Sequence, residues 1–420
     1  MVPTLFIIFF ILIFLGVPIA FSLAGASILS LYIFTDMSML LVVQRMYSGL
    51  DVFALMAIPL FLFAGYLMSE VKISDKLINL AYVFLGRFKG GLFLVATGSS
   101  AIFGAISGSA NATTAAIGSV MIPSMAKKGY DQADSAAAVA ASGILGLVVP
   151  PSITMVLYGV VAGVSIGDLF LSGIVPAIII SAGLMAVNYF IAHRRGYEGG
   201  EPVPMRSALK TFRESAVALA MPLIILGGIY SGAFTPTESA AVASLYGLLV
   251  GFLWYRNLTF KSIFSVSKKT VEVSATILFL IATSNIFTYI LTSENVPQEL
   301  ASSLIGFSDS KFVVLLIILG MLLVFGTFLD NVAAVILVTP TLMPVVGALG
   351  IDPIFFGVFM VIAVAVGQIT PPVGLNLFIA TNLTDRRFED VCKSTVPYLA
   401  LYLFLLVFFI FVPSLLSVFG

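Results

Sequence analysis

Asp330 stands in an otherwise apolar stretch, and an aspartate at the centre of a membrane-spanning helix costs on the order of 2.5–3.5 kcal/mol on insertion scales. Carboxylates kept at such depth mark ion or solute pathways. A local role is also open to it, since Asp is among the best N-caps of a helix, and the two roles are compatible. Two other segments carry paired prolines inside apolar runs, Gly146-Leu147-Val148-Val149-Pro150-Pro151-Ser152 and Gly367-Gln368-Ile369-Thr370-Pro371-Pro372-Val373. Proline removes a backbone donor and clashes with the preceding turn, so carbonyls ahead of each pair lose their helical partners and are free to bind a cation. Hydroxyls of Ser107 and Ser109 would complete an oxygen cage suited to sodium, a hard ion. The plainer alternative is a proline kink with serines that satisfy backbone groups. The recurrence of the break at equivalent places in the chain favours binding.

Those places define an internal repeat. Pro123 precedes Pro150-Pro151 by 27 residues, and Pro344 precedes Pro371-Pro372 by the same 27. Under the common shift of 221 residues Gly129 falls on Gly350, Asp131 on Asp352 and Gly146 on Gly367, while a one-residue slip sets Phe103-Gly104 on Phe325-Gly326. The chain thus divides into halves, 1–205 and 206–420, joined through the charged stretch 193–214. Lys and Arg accumulate in short cytoplasmic loops. Lys72, Lys76, Arg87, Lys89, Lys127 and Lys128 of the first half face mostly neutral or acidic counterparts, with Lys311 the exception; Arg386, Arg387 and Lys393 of the second half match uncharged Ser165, Ile166 and Ser172. The halves therefore face opposite ways, the inverted-topology arrangement that frames midplane binding sites in secondary transporters.

Charge also exposes the elements that must position the chemistry. The apolar segment between Lys89 and Lys127 enters and leaves on one side, a re-entrant helical hairpin over about 90–127 with its tip at Ser107-Gly108-Ser109-Ala110-Asn111. Its counterpart covers about 311–349, with a tip near Gly326–Asn331, and a Pro-Pro-broken helix follows each hairpin, over about 131–164 and 352–384. Non-helical backbone at membrane depth is tolerated only where protein or a water-filled cavity surrounds it. Free amides at the N-termini of the second hairpin arms and of the half-helices past each proline pair point positive dipole ends at the midplane, a natural seat for an anion. Asn111, Thr113, Thr114, Asn331 and Asn376 are further polar groups there.

Of 420 residues, 60% are hydrophobic and 10% charged, so the fold class is an all-α polytopic membrane protein in contact with the lipid bilayer. Twenty basic and twenty acidic residues cancel, which argues against nucleic acid as a partner. A lone cysteine, Cys392, and a lone histidine, His193, beside two arginines at the end of an apolar run, leave no thiol, metal-cluster or proton-relay chemistry. Pro3–Phe34 reads as a retained membrane helix rather than a removed signal. Glu238, in Thr235-Pro236-Thr237-Glu238, reads as a structural first-turn acid.

Several of these stretches, in order along essentially the whole chain, resemble the large membrane subunit of tripartite ATP-independent periplasmic (TRAP) transporters. They are Ser107-Gly-Ser-Ala-Asn-Ala-Thr-Thr-Ala-Ala-Ile-Gly, Met121-Ile-Pro-Ser-Met, Gly146-Leu-Val-Val-Pro-Pro-Ser, Gly228-Ile-Tyr-Ser-Gly-Ala-Phe-Thr-Pro-Thr-Glu, Phe325-Gly-Thr-Phe-Leu-Asp and Gly367-Gln-Ile-Thr-Pro-Pro-Val-Gly-Leu-Asn-Leu-Phe. The resemblance implies a sodium-coupled elevator-type transporter of carboxylates in the bacterial inner membrane, with scaffold and transport domains. A soluble periplasmic substrate-binding protein would feed it, and a small four-helix membrane subunit would assemble with it. It implies one sodium site at Ser107, Ser109, Gly146, Val149 and Pro151, and a second at Gly326, Gly367 and Thr370, with no other cofactor. Asp330 matches an acidic residue near substrate and ion, among Asn111, Asn331 and Asn376. Ala110-Asn111 departs from the commoner tip sequences, so the tip does not name the substrate.

An ion channel fits oppositely entering hairpins less well than alternating access does. An intramembrane enzyme lacks a partner for Asp330. A stand-alone sodium-coupled dicarboxylate or citrate-type permease is the closest rival to the tripartite reading.

Overall fold

In a computed structural model, which describes residues 1–308 and 310–417, every regular element among the described residues is helical. Water is absent from the bilayer core, so each segment must satisfy its own backbone groups, and helices do this within one segment. Among the described residues eight helices are long and apolar enough to cross a membrane, and a ninth span arises if a pair bent by 43° is counted as one.

The chain begins with α1 (Val2–Phe14) and α2 (Ile19–Phe34), followed by α3 (Met39–Leu50), α4 (Ala57–Glu70) and α5 (Ile73–Leu85). The stretch 3–34, whose hydropathy leaves the number of spans open, is two helices. Gly16, at φ +81°, and Pro18 interrupt it, since proline at the start of α2 cannot donate to the preceding turn. The first hairpin is α6 (Gly91–Ser107) and α7 (Ala110–Lys127). Its arms of 17 and 18 residues run about 26 Å each at 1.5 Å per residue. The broken helix is α8 (Gln132–Gly143), α9 (Leu145–Val148) and α10 (Ile153–Ala162), and α11 (Ile166–Arg195) closes the half.

The second half repeats the order. It contains α12 (Met205–Tyr230), α13 (Pro236–Leu249), α14 (Phe260–Ser293) and α15 (Val296–Phe307), then the hairpin α16 (Lys311–Phe328) and α17 (Asn331–Ala348). The broken helix α18 (Pro353–Gly367) and α19 (Leu375–Thr381) leads to α20 (Phe388–Phe411). Thr235 and Glu238 form a reciprocal capping box at the start of α13, the structural role expected of that glutamate.

The broken helices lie antiparallel, as inverted repeats require. At one end, Arg386 beyond α19 pairs with Asp131, the N-cap of α8, at 2.9 Å. At the other, the Tyr158 hydroxyl of α10 donates to the Pro353 carbonyl at the start of α18, at 2.7 Å. Each half-helix past a break also packs on the opposite repeat: α10 on α17 and α18, α19 on α7 and α8. Asp131 and Asp352 cap α8 and α18 in the same way, each accepting two backbone N–H groups of the first turn. The peptide bonds Pro150-Pro151 and Pro371-Pro372 are both cis. Around this unit, α14 packs on α2, α3 and α4, and α12 packs on α5 and α13.

Candidate functional site

Each hairpin meets its broken helix through backbone. A Cβ on Gly104 of α6 would lie 2.8 Å from Gly146 Cα, and a Cβ on Gly367 would lie 2.5 Å from Gly326 Cα. Only glycine permits contacts that close. Gly104 is the partner the sequence reading did not assign to the site, although its alignment with Gly326 contained the signal.

At the first tip α6 ends on Gly108, at φ +61°, and Ser109 caps α7 by accepting from Ala112 N. The Ser107 hydroxyl lies 2.9 Å from Thr113 Oγ1, which donates to the Ser109 carbonyl at 2.8 Å. Gly146 abuts the same atoms: its Cβ would fall 2.4 Å from Thr113 Oγ1 and 2.5 Å from the Ser109 carbonyl oxygen. The Pro151 carbonyl closes in from the other side, 3.1 Å from where a Gly108 Cβ would stand. Ser107, Ser109, Gly146 and Pro151 are thus brought together, with Thr113 added, and their oxygens are the hard donors that an alkali cation accepts. Val149 lies in the same break, where its extended backbone ends α9.

At the second tip Asp330 caps α17, accepting from Val332 N at 3.2 Å. Its other carboxylate oxygen lies 3.5 Å from Asn111 Nδ2 of the first tip, so one side chain caps its helix and reaches the opposite hairpin. Gly326 and Gly367 touch, whereas the Thr370 hydroxyl donates back to the Val366 carbonyl at 2.9 Å within its own turn. Asn376 is fully buried, with its amide nitrogen 3.5 Å from the Ala140 carbonyl.

Several buried polar atoms here have no hydrogen-bond partner within the described residues: Asn111 Oδ1, Thr114 Oγ1, Asn331 Oδ1, Asn376 Oδ1 and both amide atoms of Gln368. Leaving such a group unsatisfied costs roughly 1–3 kcal/mol, and native proteins concentrate exceptions of this kind where another species binds. Gln368 was not among the residues singled out from sequence. The repeat carries the clue, because the equivalent position in the first half is Leu147.

Both tips border one cavity of about 910 Å³. Ser107, Ser109, Asn111, Asp330 and Asn331 line its hairpin side, and Tyr66 of α4 with Lys269, Glu272 and Thr276 of α14 line the other. The α14 wall was absent from the sequence reading, since three polar residues in a 34-residue helix carry no motif. α14 starts next to Arg256 and Lys261. Asn257 donates to the Val71 carbonyl at 3.1 Å, and Lys76 pairs with Glu214 at 2.8 Å. That end of the molecule therefore shares its side with Lys72 and Lys76, and the positive-inside rule makes it cytoplasmic. Lys269 and Glu272 are exposed at this end of the cavity, so the hairpin tips face the cytoplasm.

The family model described as "Tripartite ATP-independent periplasmic transporter, DctM component" matches residues 6–415. The chain belongs to the DctM family. It is 41% identical over 417 residues to the isethionate TRAP transporter permease protein DctMQ of Oleidesulfovibrio alaskensis, covering 98% of this chain but 65% of that protein. It is 37% identical over 388 residues to the sialic acid TRAP transporter large permease protein SiaM of Vibrio cholerae (92% and 91% covered). Identity is 34% over 414 residues to the C4-dicarboxylate TRAP transporter large permease protein DctM of Rhodobacter capsulatus (95% and 94% covered). Among solved structures, the YdaH transporter of Alcanivorax borkumensis shares the fold, with a TM-score of 0.64 at 15% identity over 90% of this chain and 88% of that one. A DctM chain is a transport permease rather than an enzyme, and this one is a multi-pass protein of the bacterial inner membrane.

Proposed function

We propose that this permease is the large membrane subunit of a sodium-coupled importer of a small organic anion. The anion is a carboxylate or sulfonate of the C4-dicarboxylate, sialic acid or isethionate type named for its relatives. A soluble periplasmic binding protein delivers it, and a small four-helix membrane subunit completes the transporter. The observation that carries this reading is the convergence of two oppositely entering hairpin tips on one cavity. There Asn111 meets Asp330, and hydroxyl and carbonyl oxygens of Ser107, Ser109, Thr113 and Pro151 cluster beside the first break.

In this mechanism sodium binds the oxygen cluster between tip and break and fixes the first tip. The anion then accepts hydrogen bonds from amides at the tips, and the bound sodium offsets repulsion from Asp330. The hairpins and broken helices move as one unit past the framework of α2, α4 and α14, so the loaded site changes sides without opening a continuous pore.

Reconstitution in proteoliposomes with the small subunit and the binding protein tests the proposal. Labelled succinate, N-acetylneuraminate and isethionate are offered in turn. One of them should accumulate only with an inward sodium gradient and only with the binding protein present. Ser107→Ala or Asp330→Ala should cut that uptake at least tenfold without loss of membrane insertion, since hydrogen bonds to charged groups contribute about 1.5–3 kcal/mol. Accumulation that ignores sodium rejects the coupling, and accumulation without the binding protein moves the chain to the stand-alone permease class.

A further inference from the structure

The cavity has a moving wall and a fixed wall, and their charges differ. Among the residues that line it, the charged side chains are Asp330 on the hairpin side and Lys269 and Glu272 on α14. Lys269, Glu272, Val273, Thr276, Ile277 and Leu280 all border the cavity, at the three- and four-residue spacing that puts them on one face of the helix. Glu272 is already engaged by Lys268, one residue outside this stripe, at 3.8 Å. Lys269 has no carboxylate of the described residues within ion-pairing distance; its Nζ lies 4.5 Å from the centroid of the Tyr66 ring. The ring faces the ammonium with its electron-rich side, which holds the cation at the wall without neutralising it. Among the described residues Lys269 is thus the one cation on the lining of a cavity that also holds the half-buried carboxylate of Asp330.

We propose that Lys269 is the residue that receives the anion on the cytoplasmic side. It makes a charge-assisted hydrogen bond to the solute's carboxylate or sulfonate while the tips face inward. The proposal rests on the anion-transport reading above and adds a residue on the fixed wall to it. Because α14 belongs to the framework that packs on α2, α3 and α4, Lys269 cannot travel with the hairpins. It meets the solute only in this orientation. An anion released from beside Asp330 gains a positive group there, just as loss of sodium would leave it facing a bare carboxylate. Lys269 therefore acts as a binding residue for the exit step and biases the inward-facing complex toward anions over neutral analogues.

The test is anion binding to the purified full-length chain in detergent with sodium present, by titration calorimetry with succinate, N-acetylneuraminate and isethionate. Whichever of the three binds the wild type is the probe. Lys269→Gln should weaken its binding roughly tenfold, the scale of one lost charge-assisted hydrogen bond in a partly solvated site. Lys269→Arg should restore most of the affinity and Lys268→Gln should leave it unchanged, with anion-free thermal midpoints of all three variants close to the wild type. If Lys269→Gln binds the probe as tightly as the wild type, the inference is overturned while the transport proposal stands. If Lys269→Gln and Lys269→Arg lose binding alike together with a drop in thermal midpoint, Lys269 serves packing on Tyr66 and the inference is again overturned. Absence of binding by all three anions, with absence of uptake, removes the transport reading itself.

Discussion

The two hairpins share their backbone plan and differ in their chemistry. Both place a glycine of the first arm against a glycine of the broken helix, Gly104 on Gly146 and Gly326 on Gly367. At the first break Pro150, Pro151 and Ser152 are buried, and its tip carries Ser107 and Thr113 with no charge. The second break exposes Pro371 and Pro372 and carries the buried amides Gln368 and Asn376, while the second tip carries Asp330 and the amide Asn331. The repeat thus conserves the contact that holds tip to break and lets the side chains diverge. The hydroxyl cluster suits an ion stripped of water, while Asp330 and Asn331, which line the cavity, suit a hydrated space that also takes an anion.

The shared contact is the place where that comparison breaks most visibly. Gly367→Ala would put a methyl 2.4 Å from the Gly326 carbonyl carbon and 2.7 Å from Thr327 N, and Gly326→Ala would put one 2.2 Å from the Val364 carbonyl oxygen. Backbone cannot rotate away as a side chain can, so each should cost about 1–3 kcal/mol or more and abolish uptake. Gly104→Ala, with its nearest atom at 2.8 Å, should cost less. Gly320→Ala is the control: it meets nothing within 4 Å inside α16 and should be neutral or stabilise by up to about 1 kcal/mol. Thermal midpoints of the four variants decide it, and the contact loses its importance if Gly326→Ala melts with Gly320→Ala.

The backbone plan was legible in the sequence because punctuation residues carry it. Proline pairs, capping aspartates and glycines recur at a fixed shift whatever the side chains between them do, and basic loops give direction. The tips at Ser107–Asn111 and Gly326–Asn331 fall where the charge pattern put them. The division of labour at the cavity was not legible. Ser107 finds Thr113 only because α7 turns back on α6, and Lys269 lines the site only because one face of a long helix happens to pass the tips. Nothing in the spacing of Lys268 and Lys269 tells which of them enters the cavity. The number of helices in 3–34 was left open by the sequence for a related reason, since hydropathy averaged over that stretch passes smoothly across Gly16–Pro18.

A second test separates charge from capping at Asp330. Asn is as good an N-cap as Asp, so Asp330→Asn should keep the bond to Val332 N and change stability by less than about 0.5 kcal/mol. Uptake should still fall roughly tenfold, the order expected when a charged partner of ion or solute is neutralised. Unchanged sodium dependence in Asp330→Asn, combined with loss in Asp330→Ala, would assign the carboxylate to the cap alone. The comparison of the two tips would then shrink to a difference in packing.

The smallest effect is expected at Gln368, where the halves differ by a single polar side chain. Gln368→Leu installs the residue that the first half carries at position 147. The amide has both polar atoms buried without a partner among the described residues, so removing it relieves a desolvation cost of about 1–3 kcal/mol, partly offset by changed packing. The thermal midpoint should therefore hold or rise. If the amide instead meets an ion or the solute during transport, the half-saturating concentration of one of them should rise about threefold, the loss of a contact worth roughly 0.6 kcal/mol. A stabilised variant with wild-type transport would show that the second half tolerates this amide without using it. A stabilised variant with weakened binding would show stability given up at one position for function, the pattern that strain and unsatisfied groups at working sites follow.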